Sequence, residues 1–491
     1  MFDSKAEYTA AGLRPLRRFT PVLFVFALAL LVRLPGLDSR PMHTDEAVNA
    51  FILEETITSG THHYRAHDHH GPTLYYAAAG LLAPAGLRHA AEFKAWHLRL
   101  IPVLCGAGFA AAAFLFQPWL GPTASCAAAL TLALAAPFVY YSGYFIHETL
   151  LLLLFAGWLA AFWRWRESDR PGHAAVAGLL AGLMLATKET AALLLGLFAL
   201  AGLVGLRFSA PHTNDPVRPR RLLGLALQTT VAFAVVALLF SGFGREPAGA
   251  LDLFRAIGAQ TGRGLGNEHA YPWFTYLRWA FAPAPVGLPW TAWLLASGAA
   301  FGLWRHRRDA FIRWLGSGGM LVFLAFSALP YKTPWLMLAW LLPLALLAGL
   351  GAATAWSALS LRPALRAAAT VLVVAWLATE TYARCVRHAV DPGNPLAYSP
   401  SSPDLARLEN TLARLPDGDL VQVVAHDYWP LPWILRRHTR TGYWSEVPAT
   451  LAPGLVLAGP EQIGSLPVGT GPLEPYELRP GIFVFLGHIP R

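Results

Sequence analysis

Hydrophobic and polar positions in this chain alternate in long blocks rather than in short periods. Apolar runs lie near 19–37, 72–87, 98–117, 121–141, 145–163, 173–187, 190–206, 222–242, 287–304, 310–329, 334–354 and 366–386. About 20 apolar residues of helix cross a bilayer, so the pattern predicts twelve candidate spans. After residue 389 the texture changes. That region is rich in proline and glycine, with short strand-like runs at Leu420–Ala425, Leu455–Ala458 and Ile482–Leu486 and a helical pattern over Pro403–Leu415. It reads as a small α/β domain outside the membrane, residues 389–491.

Composition supports a polytopic membrane protein, mainly α. Hydrophobic residues make up 55% of the 491 positions and charged ones 14%, where soluble domains carry about 25% charged. The 18 tryptophans and 15 tyrosines suit interfacial aromatic belts. A net charge of +9 ordinarily hints at nucleic acid or anionic lipid. Here the basic residues sit in short clusters between apolar runs, so topology accounts for them and no nucleic-acid partner is expected. The clusters are Arg14/Arg17/Arg18, Arg164/Arg166/Arg170, Arg207 to Arg221, Arg305/Arg307/Arg308 and Arg362/Arg366. Placed on the cytoplasmic side, they put residues 1–18 inside and the membrane domain at 19–388. The loops 38–71 and 243–286 and the C-terminal domain then lie outside the cell (inner) membrane.

That arrangement needs an odd number of crossings, about eleven. The surplus run lies within 72–141, where 72–87 is the shortest and contains Pro84, as a partial or interfacial helix would. Arg88 and Lys94 point the other way, so its crossing stays open. Arg14, Arg17 and Arg18 precede Phe19–Leu34 without a small-residue cleavage site, which predicts an uncleaved first helix. Cys105, Cys126 and Cys385 sit in or at the end of apolar segments, without the spacing of a disulfide framework or a structural zinc site.

The polar stretch Asp38–Tyr76 stands out. It carries Asp45–Glu46, Glu54–Glu55, Asp68 and six histidines. Ionisable groups at a membrane edge are costly and tend to serve function, and several collect on the outer side. These are Asp45 and Glu46; His69 and His70 before Gly71-Pro72; His147 and Glu148 in YYSGYFIHETLLLL; Lys188 and Glu189 in LATKETAALL; Asn267, Glu268 and His269; and Tyr331 and Lys332 in PYKTPW. Blander roles exist for each. The first loop can be mere solvation, Lys188–Glu189 can solvate a turn, and Lys332 can snorkel to the headgroups. Glu148 can offset a helix dipole. Convergence on one side favours function. A carboxylate there can act as general base on an acceptor hydroxyl or amine, and lysines or a bound cation can neutralise a phosphate leaving group. His147 and Glu148 offer ligands for a divalent metal, although a mixed set without fixed spacing is a weak pattern. Gly262-Arg-Gly264-Leu-Gly266 lacks the strand and helix of a phosphate loop and is set aside. His426, Asp427 and Trp429 of the C-terminal domain read as structural sooner than substrate-touching.

In order, an apparently uncleaved first helix, an outer loop with an Asp-Glu pair, a polar-then-proline entry and "P…YYSGYFIHE" closing a span resemble the GT-C glycosyltransferases. That superfamily includes protein O-mannosyltransferases and aminoarabinose transferases. "TDEAVNA", "HHGPTLYY", "ATKET" and "PYKTPW" are most similar to its flippase-activity-associated family, over about residues 15–350.

The resemblance implies a GT-C-type bundle and a polyprenyl-phosphate-linked sugar donor at the outer leaflet. It implies Asp45 as the catalytic acidic residue with Glu46 its partner. His69 and His70 stand where the aminoarabinose-transferase branch has an acidic–basic pair, and His147–Glu148 stands at the second acidic motif. Both departures put metal use in question. The expected reaction is inverting transfer to an acceptor, with Glu46 and Glu148 positioning metal or acceptor and Lys188 and Lys332 binding phosphate. The rivals are a lipid-carrier transport protein and a non-catalytic flippase-associated scaffold. A transporter is expected to carry midplane charges and an internal helix repeat; the chain has its charges at one edge and no evident repeat.

Overall fold

The computed structural model of the chain describes residues 4–65, 70–207, 219–266, 269–282, 290–359, 362–414 and 420–490. His69, Asn267 and Glu268, singled out above, lie outside the described residues.

The first outer loop is largely a helix. After α1 (Ser4–Arg33), α2 spans Thr44–Ser59, with a reciprocal cap at its start: His43 Nδ1 accepts from Asp45 N–H, and the Glu46 carboxylate accepts from His43 N–H. Gly60 ends it in the left-handed conformation at φ 76°. Glu46, Ala50 and Leu53 recur at helical spacing and form its buried face. The sequence reading missed this helix because the stretch is polar on average; its apolar residues occupy one stripe.

The membrane bundle follows with α3 (Thr73–Leu82), α4 (Ala95–Ala112), α5 (Gln117–Leu120), α6 (Pro122–Leu134), α7 (Ala136–Ser142), α8 (Glu148–Ser168), α9 (Pro171–Leu185), α10 (Thr190–Arg207) and α11 (Pro219–Phe240). It continues with α12 (Asp252–Leu265), α13 (Thr275–Phe281), α14 (Trp290–Arg305), α15 (Ala310–Ala328), α16 (Met337–Ala358) and α17 (Pro363–Tyr382). Among the described residues six helices are long and apolar enough to cross a membrane, or seven if the pair α6–α7 counts as one bent span. Phe19–Arg33, Thr73–Leu82, Pro171–Leu185 and Thr190–Leu203 are shorter apolar helices. The expected eleven crossings are therefore matched only in part by helices of full length. The ten residues of α3 extend about 15 Å, half the hydrocarbon thickness of about 30 Å.

The α6–α7 pair bends by 53° at Ala135, just before Pro137. The carbonyls freed by the break cannot reach water. Arg33 supplies donors instead, at 2.7 Å to the Ala133 carbonyl and 2.9 Å to that of Leu132, and Thr381 donates to Leu134. A buried arginine thus stands in for the missing turn of helix. Elsewhere small residues allow backbones to touch: a Cβ on Gly351 of α16 would sit 1.9 Å from the Gly298 carbonyl of α14.

The C-terminal region comprises α18 (Asp404–Leu412), β1 (Val421–Val424), α19 (Leu431–Ile434), β2 (Thr441–Trp444), β3 (Gly454–Ala458), β4 (Glu474–Arg479) and β5 (Ile482–Ile489). Its sheet has the order β2-β1-β3-β5-β4, with β1 parallel to β2 and β3, and β5 antiparallel to β3 and β4. The domain is not a detached appendage. One apolar cluster joins Ala47, Ala50 and Leu53 of α2 and Leu74 of α3 to Leu405, Val421, Leu431 and Trp433 of the domain. Ser401 donates to the Met42 carbonyl at 2.7 Å, and His43 Nε2 lies 3.1 Å from that of Tyr398. The helix carrying Asp45 is clamped between bundle and domain.

Candidate active site

A cavity of about 920 Å³ opens between α2, the α9–α10 turn, α12 and the α15–α16 junction. Asp45, His70, His147, Glu148, Lys188, Glu189 and Tyr331 all line it. These residues come from loops up to 286 positions apart in sequence (331 − 45, from the numbering), which places those loops at one end of the bundle. The basic clusters between the apolar runs contribute elsewhere: Arg164 lies over Trp119, 5.6 Å from the ring centre, and Arg221 pairs with Asp169 at 3.2 Å.

Two ion pairs build the floor. The Lys188 ammonium donates to Glu148 at the first turn of α8, both side chains being buried. Beside it His70 Nδ1 lies 2.9 Å from Glu189 Oε2. Burial by itself pushes the Glu189 carboxyl up, but the adjacent His70 imidazole more than offsets this and leaves it below the usual carboxylate range. The contact depends on Gly71: a Cβ there would sit 2.1 Å from the Ala186 carbonyl, so only glycine lets the entry to α3 lie against the α9–α10 turn. Thr73 N–H then bonds that same carbonyl at 3.2 Å.

His147 is 1% exposed, and neither ring nitrogen has a hydrogen-bond partner. Its ring sits edge-on between His70, at 5.1 Å, and Tyr75, at 5.2 Å. Tyr75 is fixed in turn by a 2.7 Å bond to Asn49, whose amide donates to the Phe145 carbonyl at 2.9 Å. A buried imidazole without a partner costs about 1–3 kcal/mol, and here it faces the cavity.

Asp45 and Glu46 part company. Successive helical residues point about 100° apart. The Asp45 side chain is 47% exposed at the cavity, whereas Glu46 is fully buried on the other side. Both Glu46 oxygens accept from Arg99 at 2.8 Å, one also from Phe145 N–H at 2.9 Å and the other from His43 N–H at 3.1 Å. Burial alone would raise the Glu46 carboxyl, but Arg99, with Arg40 and the Phe145 N–H, holds it at about 2. The two carboxylates expected to act as a pair therefore face different surroundings: Asp45 faces the cavity, and Glu46 is held by four donors that anchor α2.

Two further expectations shift. Lys332 is 1% exposed and donates to the carbonyls of Tyr271, at 3.2 Å, and Leu329, so its ammonium fastens the 269–332 loops rather than lining the cavity. His269 bonds the Tyr398 hydroxyl beside a second cavity of about 610 Å³. Gly262–Gly266 lies at the end of α12, as helix and not phosphate loop. Conversely, Asn49, Glu55, Arg65, Arg263 and Trp335 line the main cavity unforeseen, and Trp429 of the C-terminal domain, read from sequence as structural, lines it too. Glu55 and Arg65 were findable as charges in the same polar loop. Trp429 was in view as a residue of the C-terminal domain but read as structural, and Arg263 was not findable, because no local pattern ties it to Asp45.

The residues do not fit a metal ion well. Among the described residues no three His, Cys, Asp or Glu side chains converge to hold one. Glu148 and Glu189 are each already paired, and the Lys188 ammonium would repel a second cation at Glu148.

No protein-family profile and no curated protein sequence matches the chain. Solved structures do. ArnT from Cupriavidus metallidurans in the apo state superposes with a TM-score of 0.68 at 16% identity, covering 95% of this chain and 97% of that one. The same protein bound to undecaprenyl phosphate gives 0.66 at 18% identity with the same coverage. The Archaeoglobus fulgidus oligosaccharyltransferase tethered to an acceptor peptide gives 0.54 at 16%, over 86% of this chain and 63% of that one. The chain has the GT-C fold of an integral membrane protein. At this level of identity the likeness is one of fold, and the flippase-activity-associated family is not among what it shows.

Proposed function

We propose that the chain is a membrane glycosyltransferase that moves a sugar from a polyprenyl-phosphate-linked donor to an acceptor at the outer face of the cell membrane, with Asp45 as general base. One observation carries this reading. A single cavity joins a half-exposed carboxylate, a floor of buried Lys188, Glu148 and Glu189 with part-exposed His70, and an apolar wall of Leu193, Phe326, Leu329 and Leu336. A lipid-linked phosphosugar has those three parts: an apolar chain, an anionic phosphate and a polar ring. The GT-C fold agrees with it, and one structure of that fold, ArnT, holds undecaprenyl phosphate.

In this reading the acceptor hydroxyl or amine attacks the anomeric carbon of the donor. Asp45 takes the acceptor's proton as the new glycosidic bond forms. The bond from the anomeric carbon to the phosphate oxygen breaks with its electron pair staying on phosphate, and configuration inverts. The phosphate charge meets Lys188, His70 and the cavity arginines Arg65 and Arg263, held in place before the reaction and in a site of low dielectric. The unpartnered nitrogens of His147 take a phosphate or sugar oxygen. Glu148 and Glu189 set the positions of Lys188 and His70. Tyr331 borders the site. Glu46, Lys332 and His269 support it from outside, and no step passes through a metal.

The test is transfer from a radiolabelled polyprenyl-phosphate-sugar pool in membranes carrying the protein, against Asp45→Asn. Label in a new product from the native chain alone is the expected result. Equal label from both ends the role of Asp45. Label from neither, with a broad donor pool, favours a lipid-carrier transporter or a non-catalytic scaffold.

A further inference from the structure

The transfer chemistry leaves unused a crevice in the C-terminal domain. In the order β2-β1-β3 the chain leaves β1 toward one side and returns from β2 to β3 on the other, so the topological switch lies between β1 and β3. In open α/β sheets ligands bind outside the carboxyl ends of parallel strands at such a switch, where the diverging loops leave a gap. Here the loop after β1 carries His426, Asp427, Tyr428 and Trp429, and the loop after β3 carries Glu461. His426 Nε2 and Glu461 Oε2 face each other across the gap at 3.8 Å, with side chains 57% and 78% exposed.

An aromatic row leads from this crevice into the main cavity. Tyr443 of β2, itself 36% exposed, packs on Tyr428 with ring centres 5.2 Å apart. Tyr428 stacks on Trp429 at 6.2 Å and 25°. Trp429 lines the cavity and meets Phe51 of α2 edge-on at 6.3 Å. The domain therefore turns the ligand-binding end of its parallel strands toward the cavity that holds Asp45.

We infer that this crevice is the acceptor subsite and that it takes a saccharide bearing no phosphate or carboxylate, an inference that rests on the glycosyltransfer reading. Rings of Tyr443, Tyr428 and Trp429 offer apolar faces to the C–H faces of sugar rings. The exposed His426 imidazole and Glu461 carboxylate offer hydrogen bonds to hydroxyls, the pairing of apolar lining with a few polar groups that small-molecule sites use. Charge narrows the class. Glu461 and Glu446 stand at this end of the sheet, and Arg479 there is already paired with Asp427, so an anionic acceptor would be repelled. A membrane surface would call for basic residues here, which the crevice loops lack.

The experiment measures binding to the full-length protein in detergent by ligand-observed NMR and calorimetry. The probes are mannotriose, chitotriose and maltotriose, a phosphorylated trisaccharide, and undecaprenyl phosphate. The expected result is that a neutral trisaccharide binds and that Tyr443→Ala and His426→Ala, both at exposed positions, weaken it roughly tenfold. Affinity for undecaprenyl phosphate should stay unchanged in both variants, which also certifies their folding. The inference is overturned if no neutral trisaccharide binds, if neither substitution weakens binding, or if the phosphorylated sugar binds as well as the neutral one. Failure of lipid binding and donor turnover, with tyrosine-dependent saccharide binding intact, would instead remove the transfer reading and leave the crevice as a saccharide site.

Discussion

Asp45 and Glu46 are neighbours on one helix, and they belong to two different kinds of charge site. The Glu46–Arg99 node is closed. Both carboxylate oxygens and the guanidinium are saturated, and nothing reaches solvent. The cavity cluster a turn away is open. Asp45 is half exposed, and the His147 nitrogens and Glu189 Oε1 lack the full set of well-formed hydrogen bonds that Glu46 has. The contrast teaches that hydrogen-bond saturation, not burial or charge, separates a structural carboxylate from one free to act. A saturated pair is costly to break but chemically inert. An unsaturated one stores a cost that a ligand can relieve.

The comparison can be broken most directly at Asp45. Asp45→Asn should lower transfer by about 10³-fold, within the range for a lost general base, with an unchanged melting temperature in detergent. A variant that melts early, or one that keeps its rate, would erase the distinction. Next in size, Arg99→Met should cost about 3–5 kcal/mol of stability by leaving Glu46 buried and unpaired. Glu46→Leu combined with Arg99→Met should recover most of it in denaturant unfolding; a single variant as stable as the native chain would show that the node bears no weight.

His147→Phe probes the open side with the opposite signature. Replacing an unpartnered buried ring by an apolar one of similar shape should leave stability equal or higher, while donor turnover falls roughly tenfold, the worth of one charge-assisted hydrogen bond. Loss of stability together with unchanged turnover would make His147 an ordinary core residue.

The smallest effect is absent at neutral pH. The Glu46 carboxyl is held at about 2 against an ordinary 4.5, so its folded-state pKa is depressed. Its contribution to stability is fully present above 4.5 and is lost as pH falls from there toward 2. The native chain should lose stability over that window more steeply than the Glu46→Leu, Arg99→Met double variant, as melting curves at stepped pH would record.

Much of this was legible along the chain. Block hydropathy located the long apolar helices between Ala95 and Tyr382, because a bilayer imposes a length on each apolar run, but not α12 and α13, which fall in the expected outer loop 243–286. Positive charge sorted the loops, so that Asp45, His70, His147, Glu148, Lys188 and Glu189 could be gathered before any coordinates. The strand-like runs at 420–425, 455–458 and 482–486 became β1, β3 and β5. β2 escaped because Thr-Gly-Tyr-Trp is short, and its register comes from β1. α2 escaped because its buried stripe is diluted by nine polar residues within TDEAVNAFILEETITS.

What the sequence determined by itself was which residues are too costly to leave near lipid without a reason, and on which side they gather. That information is local, since desolvation and helix length depend on each segment alone. Only the tertiary structure decided which of two adjacent carboxylates would meet Arg99 and which would face the cavity. It also decided that Lys332 would bond carbonyls while Lys188 would bond Glu148, and that a tryptophan of the C-terminal domain would close the wall. Most of those outcomes depend on residues 40 to 384 positions away (188 − 148 for Lys188 and Glu148, 429 − 45 for Trp429 and Asp45), and hydrogen-bond saturation belongs to the assembled set of partners, not to any residue in it.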